Sequence, residues 1–239
     1  MAPFRVNLLL TERCNALCRH CWFDSGPTRT GTMTLTEAKT YINQAREFPT
    51  LEWISLSGGE PFLLPDMLVE LVSCVSNFEI RTECVTNCFW AHTEQIALKR
   101  LRRLISAGLD VINISVDDFH QEFIPFERVR NCFNAAKYLG LKIVIMCVIS
   151  KSSKLRAPEI VERLGDENIH IIRSGIERPC LEGVTAFLVE TGFLPAGRAT
   201  KLPLNERMPN HRSLFEGGCP FLLRDIAVTP EGRVLACCS

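Results

Sequence analysis

The sequence predicts an α/β fold, a partial (β/α)6 parallel barrel followed by a short C-terminal β-hairpin. Two observations predict this fold class. Segments with the length of buried strands alternate with amphipathic helical segments over most of the chain, which is typical of parallel β/α units. The segment Leu141–Ile149 is continuously apolar, as expected for a strand of a parallel sheet that is buried on both faces.

Six strands make up the predicted parallel sheet. The first is an apolar segment that begins at Phe4, and the fourth alternates Ile112, Ile114 and Val116 with the period of a strand. The predicted strands are Phe4–Leu10, Leu51–Leu56, Phe78–Thr86, Asp110–Val116, Leu141–Ile149 and Ile169–Ile172.

Residues that commonly begin or end helices mark the helices between these strands. Thr34-Leu35-Thr36-Glu37 is a capping-box pattern, which opens a helix that ends near Phe48. Another helix begins at Pro65. Each of the three later helices ends at a glycine, a residue that commonly forms the C-terminal cap of a helix. These later helices are predicted at Thr93–Ala107, before Gly108, at Pro125–Leu139, before Gly140, and from Pro158 to Gly165.

The C-terminal part of the chain follows a looser pattern. Residues 201–213 are polar and contain proline, which is typical of a linker. Asp225–Val228 and Arg233–Ala236 flank a Thr-Pro-Glu-Gly turn and predict the β-hairpin. We therefore expect a core barrel over residues 1–205. Residues 206–239 are expected to form a linker and the start of a cysteine-containing extension.

Composition limits the classes of partner. The 239 residues carry a formal net charge of +0, so no overall field attracts nucleic acid or an anionic membrane. No segment approaches the roughly 20 apolar residues that span a bilayer, and the N-terminus does not have the pattern of a secretory signal. These observations predict a cytoplasmic protein. In a reducing cytosol, most of the 12 cysteines are expected to bind metal or to lie buried, the latter at Cys74, Cys132 and Cys147.

Three cysteines follow the first predicted strand. Cys14, Cys18 and Cys21 have a C-x3-C-x2-C spacing, so their thiolates can converge on one metal centre. Soft sulfur ligands favour an iron–sulfur cluster or zinc. A zinc site would normally need a fourth protein ligand, whereas a four-iron cluster with three cysteines keeps one iron open for chemistry.

Polar and glycine residues follow the next three predicted strands. Gly58-Gly59-Glu60-Pro61 offers backbone carbonyls and a carboxylate as acceptors for a cation, or it forms an ordinary tight turn. Asn87, Ser115 and Asp117 are candidate ligand contacts, or they cap the helices that follow. Since functional residues of parallel barrels collect at the carboxyl ends of strands, all these groups are expected on the cysteine-bearing rim.

The cysteine and glycine motifs, in this order, resemble those of the radical S-adenosylmethionine (radical SAM) superfamily. The resemblance implies a barrel of that type, a [4Fe–4S] cluster held by Cys14, Cys18 and Cys21, and SAM as the ligand of the fourth iron. It also implies that Gly58–Pro61 meets the methionine ammonium, and that Asn87, Ser115 and Asp117 contact SAM. A one-electron reductant such as flavodoxin or ferredoxin is the implied partner.

Two histidines near these motifs carry alternative interpretations. His20 occupies a position where the family often has an aromatic residue, so it can stack on adenine, or it is a zinc ligand. His120 follows the fourth predicted strand, where it either faces a substrate or lies in a surface loop. We expect the surface loop.

The C-terminal segment carries a second resemblance. Cys219, Gly232 and Cys237 fit the C-x12-G-x4-C opening of the SPASM extension, which the family's peptide-modifying enzymes carry, and Gly197–Ala199 resembles the segment before it. Cys219, Cys237 and Cys238 are therefore candidates for an auxiliary iron–sulfur cluster. They are too few for a complete ligand set, unless other residues or the substrate contribute, such as Cys84, Cys88 or Cys180. We expect the extension to be truncated at Ser239; a naturally shortened extension is the alternative.

The combined motifs predict an enzyme that cleaves SAM reductively to a 5′-deoxyadenosyl radical, which abstracts hydrogen from a substrate. The resemblance to SPASM enzymes favours a peptide or protein side chain as that substrate. An enzyme of small-molecule cofactor or nucleoside biosynthesis is the alternative within the family. From a different class, a non-catalytic zinc or iron–sulfur module would bind metal without affinity for SAM.

Overall fold

A computed structural model describes residues 4–172, 183–208 and 222–236. In these residues nine strands form a single sheet, and six α-helices pack around it. The strands are β1 (Phe4–Leu9), β2 (Leu51–Ser57), β3 (Arg81–Thr86), β4 (Val111–Ser115), β5 (Lys142–Ile149), β6 (Ile169–Ile172), β7 (Ala186–Gly192), β8 (Asp225–Val228) and β9 (Val234–Leu235). The helices are α1 (Leu35–Ala45), α2 (Pro65–Ser76), α3 (Glu94–Ala107), α4 (Asp118–Gln121), α5 (Phe126–Tyr138) and α6 (Ala157–Leu164).

The strand order is β6-β7-β5-β4-β3-β2-β1-β8-β9. All neighbouring strands are parallel except the β8–β9 pair, which is antiparallel. In the described part of the chain β6 and β9 are the edges and do not pair, so the barrel is partial. The predicted fold class, including the C-terminal hairpin, is confirmed.

All six predicted parallel strands are present, but the sheet contains two features that the sequence did not indicate. Strand β7 lies between β5 and β6, and β8 of the hairpin pairs in parallel with β1. Strand β7 ends in polar residues, and its Glu190 accepts hydrogen bonds from the Arg156 side chain and the Ala157 amide at the start of α6. That partnership is tertiary, so the local pattern does not reveal it. The division at residues 205 and 206 stays a prediction.

Local capping explains where several helices begin and end. At α1 the Thr34 hydroxyl accepts a hydrogen bond from the Glu37 amide, and the Glu37 carboxylate accepts one from the Thr34 amide. This is the predicted capping box, which satisfies amides that a helix N-terminus leaves unpaired. At the end of α3, Gly108 has a φ of 105°, a left-handed conformation that favours glycine.

The two faces of the sheet have different character. Alternate residues such as Leu8, Ile54 and Ile112 pack beneath the helices in an apolar core, which also contains Cys132 and Cys147 as predicted. Cys74 is partly buried against that core. The opposite face lines a cavity of about 850 Å³ inside the partial barrel. No helix in the three described ranges has both the length and the apolar character needed to cross a membrane.

The capping box gives a stability prediction. Replacing Thr34 with Ala removes the side-chain acceptor of the Glu37 amide, and we expect the free energy of unfolding to fall by about 1 kcal/mol in urea denaturation. Thr40→Ala is the matched control. The Thr40 hydroxyl donates to the Thr36 carbonyl within α1, where alanine is the better helix former, so stability should not fall. Equal losses in both variants would contradict the capping role.

Candidate active site

Residues 11–24, here called the cysteine loop, follow β1 and cross the rim of the cavity. Cys14, Cys18 and Cys21 all line that cavity. Cys14 and Cys18 are buried, whereas Cys21 is partly exposed. The Cys21 amide donates to the Cys18 carbonyl at 3.1 Å, so the last two cysteines lie on one tight turn. The structure therefore brings the three predicted ligands to one wall.

The environment of these thiols fits a multivalent metal group. Burial raises the pKa of Cys14 to about 12 and raises the pKa of Cys18 above its usual range. The charge of neighbouring cysteines acts in the same direction, because closely spaced thiolates repel one another. Ionisation of Cys14 and Cys18 in this place is favoured by a positive counter-charge. An iron–sulfur cluster with open iron sites provides one, so the donor set fits this group.

The glycine motif follows β2 and lies directly against the cysteine loop. The Gly59 amide donates to the Thr11 carbonyl, and the Glu60 amide donates to the Arg13 carbonyl at 2.9 Å. A Cβ on Gly58 would lie 2.6 Å from the Thr11 carbonyl oxygen, and one on Gly59 would collide with the Arg13 carbonyl. Both glycines also line the cavity. Both positions therefore need glycine because two backbone segments approach each other closely there.

Glu60 is completely buried and joins the ends of two strands. Its carboxylate accepts hydrogen bonds from the Phe62 amide at 3.0 Å, the Thr86 hydroxyl at 2.9 Å and the Asn87 amide at 2.8 Å. Burial raises the pKa of Glu60 to about 7, although these donors favour the ionised form. Glu60 and Pro61 are not among the cavity-lining residues, so the structure places them beside the candidate site rather than in it.

Asn87 and Ser115, at the ends of β3 and β4, line the cavity. The Asn87 amide nitrogen donates to the Asn15 side chain at 3.0 Å and lies 3.7 Å from the Cys14 sulfur. Its side-chain oxygen accepts a hydrogen bond from the Phe89 amide. The Asn87 side chain thus connects the end of β3 to the cysteine loop, next to the first thiol.

Asp117 is buried and caps α4. Its carboxylate accepts from the His120 amide at 2.9 Å, and its second oxygen lies 2.9 Å from Nδ1 of His120. Burial alone would raise the pKa of Asp117, but the charge and hydrogen bonds of His120 outweigh it and lower that pKa. Burial likewise disfavours charged His120, yet the Asp117 charge raises the histidine pKa. Asp117 does not line the cavity, whereas His120 does.

The expected surface position of His120 was wrong. The short helix α4 turns this side chain inward, where it lies beside His20 with their ring centroids 4.9 Å apart. The sequence signal was the Asp-x-x-His spacing from Asp117 to His120, because an N-cap residue lies close to the third residue of its helix. A four-residue helix is too short for periodicity to reveal it.

His20 stacks on Phe119 with a centroid distance of 4.7 Å. Burial lowers the pKa of His20 to about 4, and within the described residues its Nδ1 has no hydrogen-bond partner. One ligand atom from each of Cys18, His20 and His120 lies within 4.8 Å of the others. This group is compact enough for a zinc ion, so the geometry retains the sequence-based zinc alternative for His20.

Sequence reasoning missed the polar floor of the cavity. Glu83 in β3 and Asn113 in β4 line the cavity, and the polar side chains of Ser55 and Asn113 favour the ionised form of the Glu83 carboxylate. Burial raises the pKa of Glu83. The two-residue period of strands was the available signal, since it places both residues on the face that carries Ser115.

The remaining cysteines are not brought to this cavity in the described part of the chain. Cys84 and Cys88 are fully buried in the core that the sheet forms with its helices. Cys219, Cys237 and Cys238, the candidates for an auxiliary cluster, lie outside the described residues, as does Cys180. An auxiliary cluster therefore stays a prediction.

Comparison with known proteins assigns the family. A sequence model described as "Radical SAM superfamily" matches residues 8–164, which is more than half of the chain. The chain belongs to the radical SAM superfamily. It is thus an iron–sulfur enzyme dependent on S-adenosylmethionine, with the cluster and SAM as its cofactors.

Similar proteins include "Putative peptide biosynthesis protein YydG" of Bacillus subtilis (strain 168), 28% identical over 238 residues, which cover 98% of this chain and 69% of YydG. "Molybdenum cofactor biosynthesis protein 1" of Mus musculus is 34% identical over 158 residues, 61% of this chain and 24% of that protein. Streptococcus suis SuiB bound to precursor peptide SuiA has a similar fold, with a TM-score of 0.63 and 16% identity. The match covers 98% of this chain, which spans 59% of SuiB.

The backbone contact at the glycine motif gives a second prediction. Gly59→Ala places a methyl group against the Arg13 carbonyl, and we expect a loss of about 1–3 kcal/mol in unfolding free energy. We also expect faster amide hydrogen exchange in the cysteine loop, because the displaced backbone loses its hydrogen bonds.

Gly140→Ala is the control for this variant. Gly140 has a φ of 68° and open space around its Cβ position, so alanine there adds only backbone strain of about 1 kcal/mol. Exchange in the cysteine loop should stay at the wild-type rate. A Gly59→Ala protein with wild-type stability and wild-type exchange would show that the close approach does not matter.

Proposed function

We propose that this enzyme uses radical SAM chemistry to modify a peptide or protein side chain, as a step in peptide maturation. The observation that carries the proposal is that one cavity unites Cys14, Cys18 and Cys21 with Gly58–Gly59, Asn87 and Ser115. Its volume of about 850 Å³ lies in the upper part of the range for ligand pockets. That space accommodates SAM together with a substrate side chain.

In this proposal Cys14, Cys18 and Cys21 hold the [4Fe–4S] cluster, and Gly58, Gly59, Asn87 and Ser115 face SAM. When bound, the two cofactors supply reductive cleavage of SAM to a 5′-deoxyadenosyl radical that removes hydrogen from an unactivated C–H group. The protein contributes position and exclusion of water. The buried Cys14 and Cys18 thiols and the His20 ring stacked on Phe119 limit the access of water to this wall of the cavity.

Residues next to the cavity hold this arrangement in place. Glu60 keeps the end of β3, and with it Asn87, against the turn that follows β2. Asp117 fixes the ring of His120 through Nδ1 and leaves the rest of that imidazole on the cavity wall. We therefore assign positioning roles to Glu60 and Asp117. Their predicted contacts with SAM would require a rearrangement of these hydrogen bonds.

A peptide substrate has support from two similarities. YydG, named as a putative peptide biosynthesis protein, is similar to this chain over 98% of its sequence. The fold also resembles that of SuiB, whose structure was solved with a precursor peptide. The similarity to molybdenum cofactor biosynthesis protein 1 favours a small-molecule substrate instead, but it covers a smaller share of this chain. We therefore propose the peptide and keep cofactor biosynthesis as the alternative.

The reducing partner and the location are further parts of this proposal. The eight cysteines recorded in the described residues are free thiols, as expected of a reducing cytoplasm. We propose a cytoplasmic location and a one-electron donor such as flavodoxin or ferredoxin. A zinc module built on Cys18, His20 and His120 is the rival from another class.

Loss of one cluster ligand tests the proposed function. Anaerobic reconstitution of the wild-type chain should give about four iron and four sulfide for this site, with SAM cleavage under a strong reductant. Cys14→Ala should lose both, while Cys74→Ala, which removes a half-buried thiol away from the cavity, should retain both. Iron binding and turnover that survive in Cys14→Ala would contradict the assignment, and stoichiometric zinc without SAM cleavage would favour the module.

The same assay addresses the substrate class. The probe is a synthetic peptide with the sequence of any short reading frame found beside the gene. A mass change in that peptide with the wild-type enzyme, absent with Cys14→Ala, supports peptide maturation. If SAM is cleaved and a cofactor precursor is turned over while the peptide stays unchanged, the peptide proposal fails and the small-molecule alternative takes its place.

A further inference from the structure

A segment from the far end of the described barrel closes over the cysteine loop. The Arg198 amide donates to the Cys21 carbonyl at 3.0 Å, and the Arg198 Nε donates to the Cys18 carbonyl at 3.0 Å. The Arg198 Nη1 donates to the Asp24 carboxylate at 2.9 Å. One residue thus makes three hydrogen bonds to the cysteine loop, across more than 170 positions of sequence.

Each residue of the Gly-Arg-Ala segment, residues 197–199, suits its position for a separate structural reason. Gly197 has a φ of 54°, and a Cβ there would lie 2.7 Å from the Cys21 carbonyl oxygen. Ala199 is fully buried in a small apolar cluster that includes Cys14, Cys18 and Phe193. The arginine therefore lies between two neighbours that leave the segment little freedom, and we call residues 197–199 the clamp.

The clamp also brings a positive charge to the thiols. The side chain of Arg198 is 14% exposed and lines the cavity. Burial raises the pKa of both Cys14 and Cys18, and the Arg198 charge is among the effects that oppose this rise. Its partner Asp24 is 52% exposed, so water screens the negative member of the pair more than the positive one.

We propose that Arg198 is a positioning residue that fixes the cysteine loop in its ligating conformation and places a permanent positive charge beside the cluster. The inference rests on the proposed function, since it assumes that Cys14, Cys18 and Cys21 hold the cluster. Reduction adds one negative charge to an iron–sulfur centre, and the local charge and hydrogen bonds set its potential. A fixed cation at partial burial favours the reduced form and raises that potential.

Two substitutions separate geometry from charge. Arg198→Lys keeps the positive charge but loses the planar fork that reaches the Cys18 carbonyl and Asp24 together. Arg198→Gln loses the charge and most of the fork. Both variants retain the backbone amide that donates to Cys21. Arg103→Gln is the matched control, because Arg103 forms a single surface ion pair with Asp66 on another face.

The test uses the anaerobically reconstituted full chain, with iron content, the cluster midpoint potential and amide exchange in residues 18–24 as readouts. Arg198→Gln should shift the midpoint to a more negative value, raise exchange and shed iron faster on gel filtration. Arg198→Lys should raise exchange while its midpoint stays near wild type. Arg103→Gln should match wild type in all three readouts.

Asp24→Asn is a variant whose effect should have the opposite sign. It removes the negative charge that partly neutralises Arg198 but keeps an oxygen acceptor for Nη1, so the midpoint should move to a more positive value. Asparagine also tolerates the left-handed backbone of residue 24, which has a φ of 56°. This variant decides the charge effect if Arg198→Gln does not fold.

The outcomes separate this inference from the proposed function. If the wild-type chain takes up no four-iron cluster, the proposed function fails. If the wild-type chain holds the cluster, and Arg198→Gln has the same midpoint potential and the same exchange rates as wild type, the role of Arg198 is overturned while the proposed function stands. An Asp24→Asn midpoint that is unchanged or more negative would overturn the electrostatic part of the proposal.

Discussion

The approach of Gly58 and Gly59 to the backbone of the cysteine loop is the constraint on which the site depends. Two amides of the glycine motif donate to carbonyls of residues 11 and 13, in a space that excludes a Cβ. This contact determines where the cysteine loop leaves β1, and therefore where its thiols point. Glu60 extends the same turn to the end of β3 through its buried carboxylate. Three adjacent strands thus contribute to one wall, β1 and β2 through backbone hydrogen bonds and β3 through the Glu60 carboxylate.

Charge is the second requirement of this wall. Burial and the charge of neighbouring cysteines disfavour the thiolate forms of Cys14 and Cys18, so the cysteine loop is suited to a positively charged group. Protein groups supply only part of that charge. Arg198 donates to the Cys18 carbonyl and its charge opposes the rise in the pKa of Cys14 and Cys18, whereas the Asp117 charge adds to the rise at Cys18. The open barrel then provides the volume in which chemistry at this wall meets a substrate.

The sequence revealed the local elements of the fold and the composition of the rim, because these depend on short-range patterns. Apolar runs predicted six strands, and Thr34 and Gly108 marked helix ends correctly. Strand β7 was missed because it ends in polar residues. Its Glu190 has its partner, Arg156, in a distant part of the sequence, so no local pattern indicates that Glu190 belongs to a strand. The inward turn of His120 and the clamp at Arg198 depend on partners in other elements. Spacing also could not show that Glu60 and Asp117 point toward backbone amides.

Anomalous diffraction at the iron edge from anaerobic crystals of the reconstituted chain tests the central claim most directly. The account predicts a compact four-iron peak within bonding distance of the sulfur atoms of Cys14, Cys18 and Cys21, with its fourth iron facing Gly58 and Gly59. A single metal ion enclosed by Cys18, His20 and His120 would contradict it, as would iron bound elsewhere with the three thiols unligated.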